Sequence, residues 1–260
     1  MTDARWDPAQ YGRFSDERSR PFCDLVSRIR TDSPRRVVDL GCGPGTLTAT
    51  LARRWSTAHV IGLDSSVEMI EAAGHGVAAP DNLSFELADI SEWTPSPVDD
   101  VVVTNAALQW VPHHRELLPK WFDELPAGAT FAMQVPGNFG SASHVLLRHI
   151  ADSARWRSQL HGVLRGIETV GDPSHYLEIA LDAGLRAEAW ETTYLHVLHG
   201  ENPVLEWTSG TALGPVRAVL SEAEFAEFRA EYGACLVNAY PAGRHGTIYP
   251  FRRVFLVATK

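Results

Sequence analysis

Val37-Val38-Asp39-Leu40-Gly41-Cys42-Gly43-Pro44-Gly45 is the stretch that decides the fold. A short β-branched run ends in an acid and enters a turn where glycine alternates with other residues, the pattern of a strand leading through a ligand loop into a helix. Three closely spaced glycines let the backbone take positive φ and lie against a ligand, while the unpaired N–H groups of the following helix face the same way. Spacing then narrows the ligand. The dinucleotide fingerprint needs its third glycine three positions after the second, where this chain has Thr46; here Gly45 comes one position early. The Asp39 carboxylate would also repel a diphosphate and suits a cation instead.

Working outward, short β-branched runs alternate with amphipathic segments from Val37 to Val135. This predicts strands near 36–40, 59–64, 83–87, 99–105 and 129–135, with helices over 46–55, 66–73 and 115–125. Pro126-Ala127-Gly128 stops the last of these helices. The pattern is that of a doubly wound, Rossmann-like α/β sheet, and 186–198 and 252–259 read as two later strands that make seven. Asp39, Asp64 and Asp89 each close a successive strand, so they should line the C-terminal edge of one parallel sheet, where open α/β folds bind ligands. Asp64 follows Asp39 by about 25 residues, near the ~20-residue spacing of a ribose-binding carboxylate. Ser65 and Glu68 have capping-box spacing for the next helix. That helix carries Met69, for which core packing is the competing reading, as helix capping is for Asp89. Ser221-Glu222-Ala223-Glu224 is a second capping box, opening a helix whose Phe225 and Phe228 read as core.

The run from Asp39 to Gly45 resembles the first motif of class I S-adenosylmethionine-dependent methyltransferases, and Ala88-Asp89-Ile90 resembles the adenine-recognition segment of that superfamily. Trp6-Asp7-Pro8, Tyr11, Glu17-Arg18-Ser19-Arg20-Pro21, Asn105-Ala106-Ala107-Leu108-Gln109-Trp110, Thr192-Thr193-Tyr194 and Arg253-Val254-Phe255 resemble the trans-aconitate 2-methyltransferase branch almost from end to end. The resemblance implies S-adenosylmethionine as cofactor. It places Asp39, Gly41, Gly43 and Gly45 at the methionine end, Asp64 and Ser65 at the ribose, Met69, Asp89 and Ile90 at the adenine, and Asn105 among the remaining contacts. Tyr11 and Arg20 would belong to an N-terminal helix that covers the cofactor, a surface helix with solvated arginines being the alternative.

The same resemblance implies an antiparallel last strand, while the stretches 138–181 and 201–244, too long for ordinary connections of ~4 to 6 residues and helical in pattern, read as a mainly helical lid. The expected division is an N-terminal helix in 1–34, a cofactor-binding core in 35–137, 183–200 and 246–260, and lid insertions in 138–182 and 201–245. It further implies methyl transfer to a carboxylate of trans-aconitate, giving the monomethyl ester and S-adenosylhomocysteine. Acceptor binding falls to Gln109, Trp110, Tyr194, Trp207, Arg253 and Arg217, although Arg217 departs from the family spacing around Leu213-Gly214-Pro215. Arg244, Arg252 and His199 are further donors. An ionised carboxylate is already a nucleophile at neutral pH, so no acid or base residue is expected and catalysis rests on proximity and orientation. Two other functions fit the same motifs: methylation of another small acid, phenol or amine, and a noncatalytic S-adenosylmethionine-binding module.

Composition sets outer bounds. With 260 residues, 45% hydrophobic and 21% charged, the chain has the make-up and length of one large α/β domain with an added lid. A net charge of −9 disfavours nucleic acid as a partner, since like charge repels phosphates. The three cysteines, Cys23, Cys42 and Cys235, are odd in number and contain no CxxC pair, which argues against a disulfide framework or structural zinc and for a reducing cytoplasm. The first residues lack a signal-peptide pattern, and no apolar run approaches the ~18 residues that span a bilayer. His113 and His114 are adjacent, and His196 and His199 have no third ligand at metal spacing, so no metal is expected. The expected partner is a small tricarboxylate, with neither nucleic acid nor membrane, and the expected state is a monomer or homodimer.

Overall fold

The computed structural model describes residues 15–76 and 80–260, and these fall into two compact units. The first comprises Ser15–Pro136, Gly171–Thr192 and Arg253–Lys260. Its elements in chain order are α1 (Ser15–Ser27), β1 (Arg36–Leu40), α2 (Thr48–Arg54), β2 (His59–Asp64), α3 (Val67–Gly76), β3 (Leu83–Leu87), β4 (Asp99–Asn105), α4 (His114–Glu124), β5 (Thr130–Pro136) and α7 (Pro173–Asp182). The second unit, from Gly137–Val170 and Thr193–Arg252, holds α5 (Ala142–Ala151), α6 (Arg157–Leu160), α8 (Pro203–Ser209), α9 (Gly214–Val219) and α10 (Glu222–Ala239). Strands β6 (Arg186–Leu198) and β7 (Thr247–Thr259) contribute residues to both units.

The described strands form one seven-stranded sheet in the order β3-β2-β1-β4-β5-β7-β6. Strands β3, β2, β1, β4 and β5 pair in parallel, whereas β7 runs antiparallel to β5 from Thr130↔Thr259 to Pro136↔Arg253. The central strands are continuous apolar runs because helices cover both faces of such a sheet. Val37, Val38, Leu40, Val101, Val102, Val103, Phe131 and Met133 are all fully buried. Strand order turns back between β1 and β4, and that switch point opens a crevice at the C-terminal ends of the two strands.

Helix α1 and the residues after it bury Phe22, Leu25, Val26 and Ile29, an i, i+3, i+4, i+7 stripe. Arg54 of α2 ties this segment down, donating to the Val26 carbonyl at 2.5 Å and the Ile29 carbonyl at 2.7 Å. On α4, Trp121 and Phe122 pack on Phe131 of the sheet with ring centroids 6.1 and 5.3 Å away. The second unit has its own core, with Trp156, Trp207, Leu213, Phe228, Tyr232 and Leu236 among its buried residues. Phe225 and Phe228 lie in it, and Ser221 caps α10, its hydroxyl accepting from the Glu224 amide while its own amide donates to the Glu224 carboxylate.

Several bounds differ from the sequence reading: α3 runs from Val67 to Gly76 rather than over 66–73, and α4 from His114 to Glu124 rather than over 115–125. Strand β5 begins and ends one residue later than 129–135, and α2 is shorter than 46–55 at both ends. Strand β7 begins at Thr247 rather than near 252. Thr247, Tyr249 and Phe251 are buried in strand alternation, but Pro250 between them, at an exposed position, hides that period in the sequence.

Candidate active site

The glycine turn follows β1 directly, and its three glycines have φ values of +80°, +55° and +75° at Gly41, Gly43 and Gly45. They do different work. A Cβ on Gly41 would lie 2.2 Å from the Cβ of Ala107, so this glycine lets the segment after β4 close against the turn. A Cβ on Gly43 would meet nothing within 4 Å, so here the backbone borders open space. The Gly43 amide donates to Asp64 Oδ2 at 2.9 Å, and the Ser66 amide donates to Asp64 Oδ1 at 3.0 Å, joining the ends of β1 and β2. The Asp64 carboxylate is thereby oriented, and its remaining lone pairs suit hydroxyl donors.

Asp39 lies beneath the turn, 3% exposed, and accepts from the Thr48 hydroxyl at 2.7 Å. Burial pushes its carboxyl up to about 7; the Thr48 bond opposes the shift and the Asp64 charge adds to it. A buried acid next to a second acid gains most from a cationic ligand. The Cys42 thiol is pushed up by burial and by the charges of Asp39 and Asp64, which makes it a packing residue rather than a nucleophile.

Asp89 follows β3 and caps the 3-10 turn Ile90–Glu92, accepting from the Ser91 amide at 2.8 Å and the Ser91 hydroxyl at 2.7 Å, both on Oδ1. The Ile90 side chain comes within 3.4 Å of a Cβ built on Gly41. Met69 on α3 is buried. Helix α3 starts at Val67, so its N-cap is Ser66, whose hydroxyl accepts from the Met69 amide at 3.2 Å and donates to Glu68 at 2.8 Å. The expected Ser65 box is therefore corrected by one residue, because Asp64 takes the Ser66 amide and delays the first helical turn.

After β4 the chain makes a strained corner. Ala106 has φ +55°, uncommon for a residue with a Cβ, and its amide is held by the Gln134 carbonyl at 2.9 Å. This corner turns the chain into the 3-10 segment Leu108–Trp110, where the buried Gln109 donates to the Ala106 carbonyl at 2.5 Å. Among the described residues, Thr104 Oγ1, Asn105 Oδ1 and Gln134 Nε2 are buried side-chain atoms with no hydrogen-bond partner, and Asn105 and Gln134 face each other across β4 and β5. Arg253, 5% exposed, reaches Gln134 Oε1 at 3.5 Å.

Tyr194, Trp207 and Arg217 lie in the second unit. Trp207 is buried, its ring 4.8 Å from His196 and 5.5 Å from Phe251, and Tyr194 is buried beside His196. Arg217 is exposed, 3.7 Å from Glu222 and over the Phe225 ring. Arg244 and His199 are exposed, and Arg252 donates to the Gly137 carbonyl at 3.3 Å. Arg20 is exposed on α1, while Tyr11 and the Trp6-Asp7-Pro8 segment lie outside the described residues. The sequence reading missed Thr48, which locks Asp39, and the positive φ of Ala106; a hydroxyl at the first turn of α2 was the available signal for the former.

Comparison with known proteins bears on this crevice. The family model described as "Methyltransferase domain" matches residues 37–128, which span the glycine turn, Asp64, Asp89 and the corner after β4. The trans-aconitate 2-methyltransferase of Streptomyces avermitilis is 50% identical over 260 residues, covering 98% of this chain and 97% of that relative. The chain belongs to the trans-aconitate 2-methyltransferase family. Another member, from Rhodococcus jostii, is 52% identical over 97% of this chain and 98% of its own length. The fold of this trans-aconitate 2-methyltransferase family member extends to distant solved structures. The YcgJ protein of Bacillus subtilis is 13% identical with a TM-score of 0.59, over 93% of this chain and 98% of that one. Phosphoethanolamine N-methyltransferase 2 of Haemonchus contortus, solved with S-adenosyl-L-methionine, is 16% identical with a TM-score of 0.53, over 93% of this chain and 52% of that one.

Proposed function

We infer that the protein transfers the methyl group of S-adenosylmethionine to a carboxylate of trans-aconitate, giving the monomethyl ester and S-adenosylhomocysteine. One observation carries the reading on the structural side. Two carboxylates, one buried and one oriented by main-chain amides, converge on an open glycine turn, in a chain about half identical to its named relatives over nearly its whole length.

The residues present fit the cofactor. Its cationic end matches buried Asp39 and the open backbone at Gly43, and its ribose hydroxyls match the lone pairs left on Asp64. Met69, Ile90 and Asp89 supply an apolar and hydrogen-bonding border for adenine, and Ser65 and Asn105 complete the set. When bound, S-adenosylmethionine supplies an activated methyl group on a positively charged sulfur.

The chain's own part is electrostatic and geometric. Asp39 would hold the cationic methionine end of the cofactor, and Asp64, oriented by the Gly43 and Ser66 amides, would hold its ribose hydroxyls. Gln109 and Trp110, fixed by the Ala106 corner, and Arg253, with its bidentate fork, are assigned to acceptor recognition. The acceptor carboxylate is ionised at neutral pH, so no residue has to remove a proton and the rate gain comes from alignment in a water-poor site. Tyr11 and Arg20 are assigned to the cofactor on the family resemblance alone.

The expected setting is the cytoplasm, with a small tricarboxylate as the only partner and a monomer or homodimer as the assembly. Net charge of −9 and three free cysteines support it, and no helix among the described residues is long and apolar enough to cross a membrane. Incubation with labelled S-adenosylmethionine and trans-aconitate should yield a base-labile methyl ester by mass spectrometry. Methylation of a phenol or amine in its place would overturn the acceptor and keep the reaction class.

A further inference from the structure

Four polar residues share one face of the sheet near its C-terminal edge. Asp39 of β1 is in register with Val103 of β4, Asn105 of β4 with Gln134 of β5, and Gln134 with Phe255 of β7. Side chains alternate along a strand, so Asn105 stands on the same side as Val103, and Arg253 on the same side as Phe255. An acid, two amides and a guanidinium therefore form a row across the adjacent strands β1, β4, β5 and β7. The row runs from the carboxylate assigned to the cofactor to the arginine assigned to the acceptor.

Gln134 is fully buried, between the equally buried Met133 and Val135. Its two carbonyl groups have separate partners. The main-chain oxygen accepts from the Ala106 amide at 2.9 Å, and the carbonyl of Ala106 accepts in turn from Gln109 at 2.5 Å. The side-chain Oε1 accepts from Arg253 Nη1 at 3.5 Å. A guanidinium only donates, so Oε1 faces it and Nε2 turns away. The bond is long, as such contacts are before a ligand draws the site together. Among the described residues, Gln134 Nε2 has no hydrogen-bond partner. A buried amide nitrogen left unpaired is a standing cost to the fold, one that an apolar side chain of similar length would not carry. Packing of β5 does not account for a glutamine at this position, whereas the orientation of Arg253 does.

Arginine is long and flexible, and its fork grips a carboxylate well only when its plane is set beforehand. We propose that Gln134 is a positioning residue for the acceptor: its side-chain carbonyl sets the Arg253 fork, while its main-chain carbonyl sets the corner that carries Gln109 and Trp110. The two groups that recognise the acceptor are thereby registered against each other through one residue. The proposal rests on the reading of Arg253 as a carboxylate-binding residue. An uncharged acceptor of hydrogen bonds suits the task, because an acid in its place would pair with the guanidinium and repel the incoming carboxylate.

Steady-state kinetics on Gln134→Met and Gln134→Glu, at saturating S-adenosylmethionine and from about pH 5.5 to about pH 8.5, test this role. Gln134→Met keeps the length and removes the carbonyl. Its KM for trans-aconitate should rise about tenfold at every pH, with kcat changed less, because seating of the acceptor is lost. Gln134→Glu keeps a neutral carbonyl while the new carboxyl is protonated, so its KM should approach the wild-type value at the acid end and climb about tenfold as the group ionises. Asp39, raised to about 7, titrates in all three proteins, so each KM is read as a ratio to wild type at the same pH. Retained affinity for S-adenosylmethionine shows that each variant is folded. Loss of that affinity in step with KM, without recovery of Gln134→Glu at low pH, would mark a structural role and overturn the proposal. If both variants follow the wild-type KM while the wild type forms the ester, the proposal falls and the methyltransferase reading stands. A wild type that forms no ester from trans-aconitate overturns that reading, and the proposal with it.

Discussion

At the scale of single residues, Asp39 makes the sharpest demand. Its carboxyl is raised from the ordinary 3.8 to about 7 chiefly by burial, so the folded, ligand-free protein holds a proton that the unfolded chain releases. The contribution to stability is therefore fully present below about pH 4 and is lost as pH rises toward 7. Ligand binding runs the other way, because only the ionised acid pairs with a cation. Affinity for S-adenosylmethionine should rise from about pH 6 to about pH 8, and Asp39→Asn should flatten the profile; an equally steep profile in the variant would assign the dependence elsewhere. The glycines separate stability from binding in the same turn. Gly41→Ala places a Cβ 2.2 Å from Ala107 at φ +80° and should cost about 2–4 kcal/mol, read as a fall in the denaturant midpoint. Gly43→Ala meets nothing within 4 Å, so only the left-handed backbone, about 1 kcal/mol, is charged to folding, and cofactor affinity should take the larger loss.

At the scale of elements, the helix ends explain what was legible. The Ser221 box on α10 was readable because both partners lie within one turn, and Ser221→Ala should lower stability by about 1 kcal/mol without altering cofactor affinity. The Ser65 box misled because an Asp64 side chain outside the helix captured the Ser66 amide and moved the N-cap. Strands β1, β2 and β4 carried their bounds in plain β-branched runs and β3 in the alternation of Leu83, Phe85 and Leu87, whereas Pro250 obscured the first part of β7. The antiparallel direction of β7 was available only through family resemblance, since alternation has period two whichever way a strand runs.

At the scale of the whole molecule, binding should register as stabilisation. S-adenosylmethionine at a hundredfold excess over its dissociation constant adds about 2.7 kcal/mol to the state that binds it, so the melting transition of the first unit should rise by roughly 5–10 °C. A melt that ignores the cofactor would remove it from the crevice. What the sequence by itself determined was local: strand runs, the glycine spacing that rejected a dinucleotide, and the acids that end successive strands. Each of these is set by backbone sterics and charge within a few residues. Only the tertiary structure decided that Thr48 locks Asp39, that Ala106 takes a strained φ against the Gln134 carbonyl, and that the Gln134 side chain meets Arg253. Those arrangements depend on which side chains are brought together and dried by packing, a property of burial that spacing along the chain does not carry.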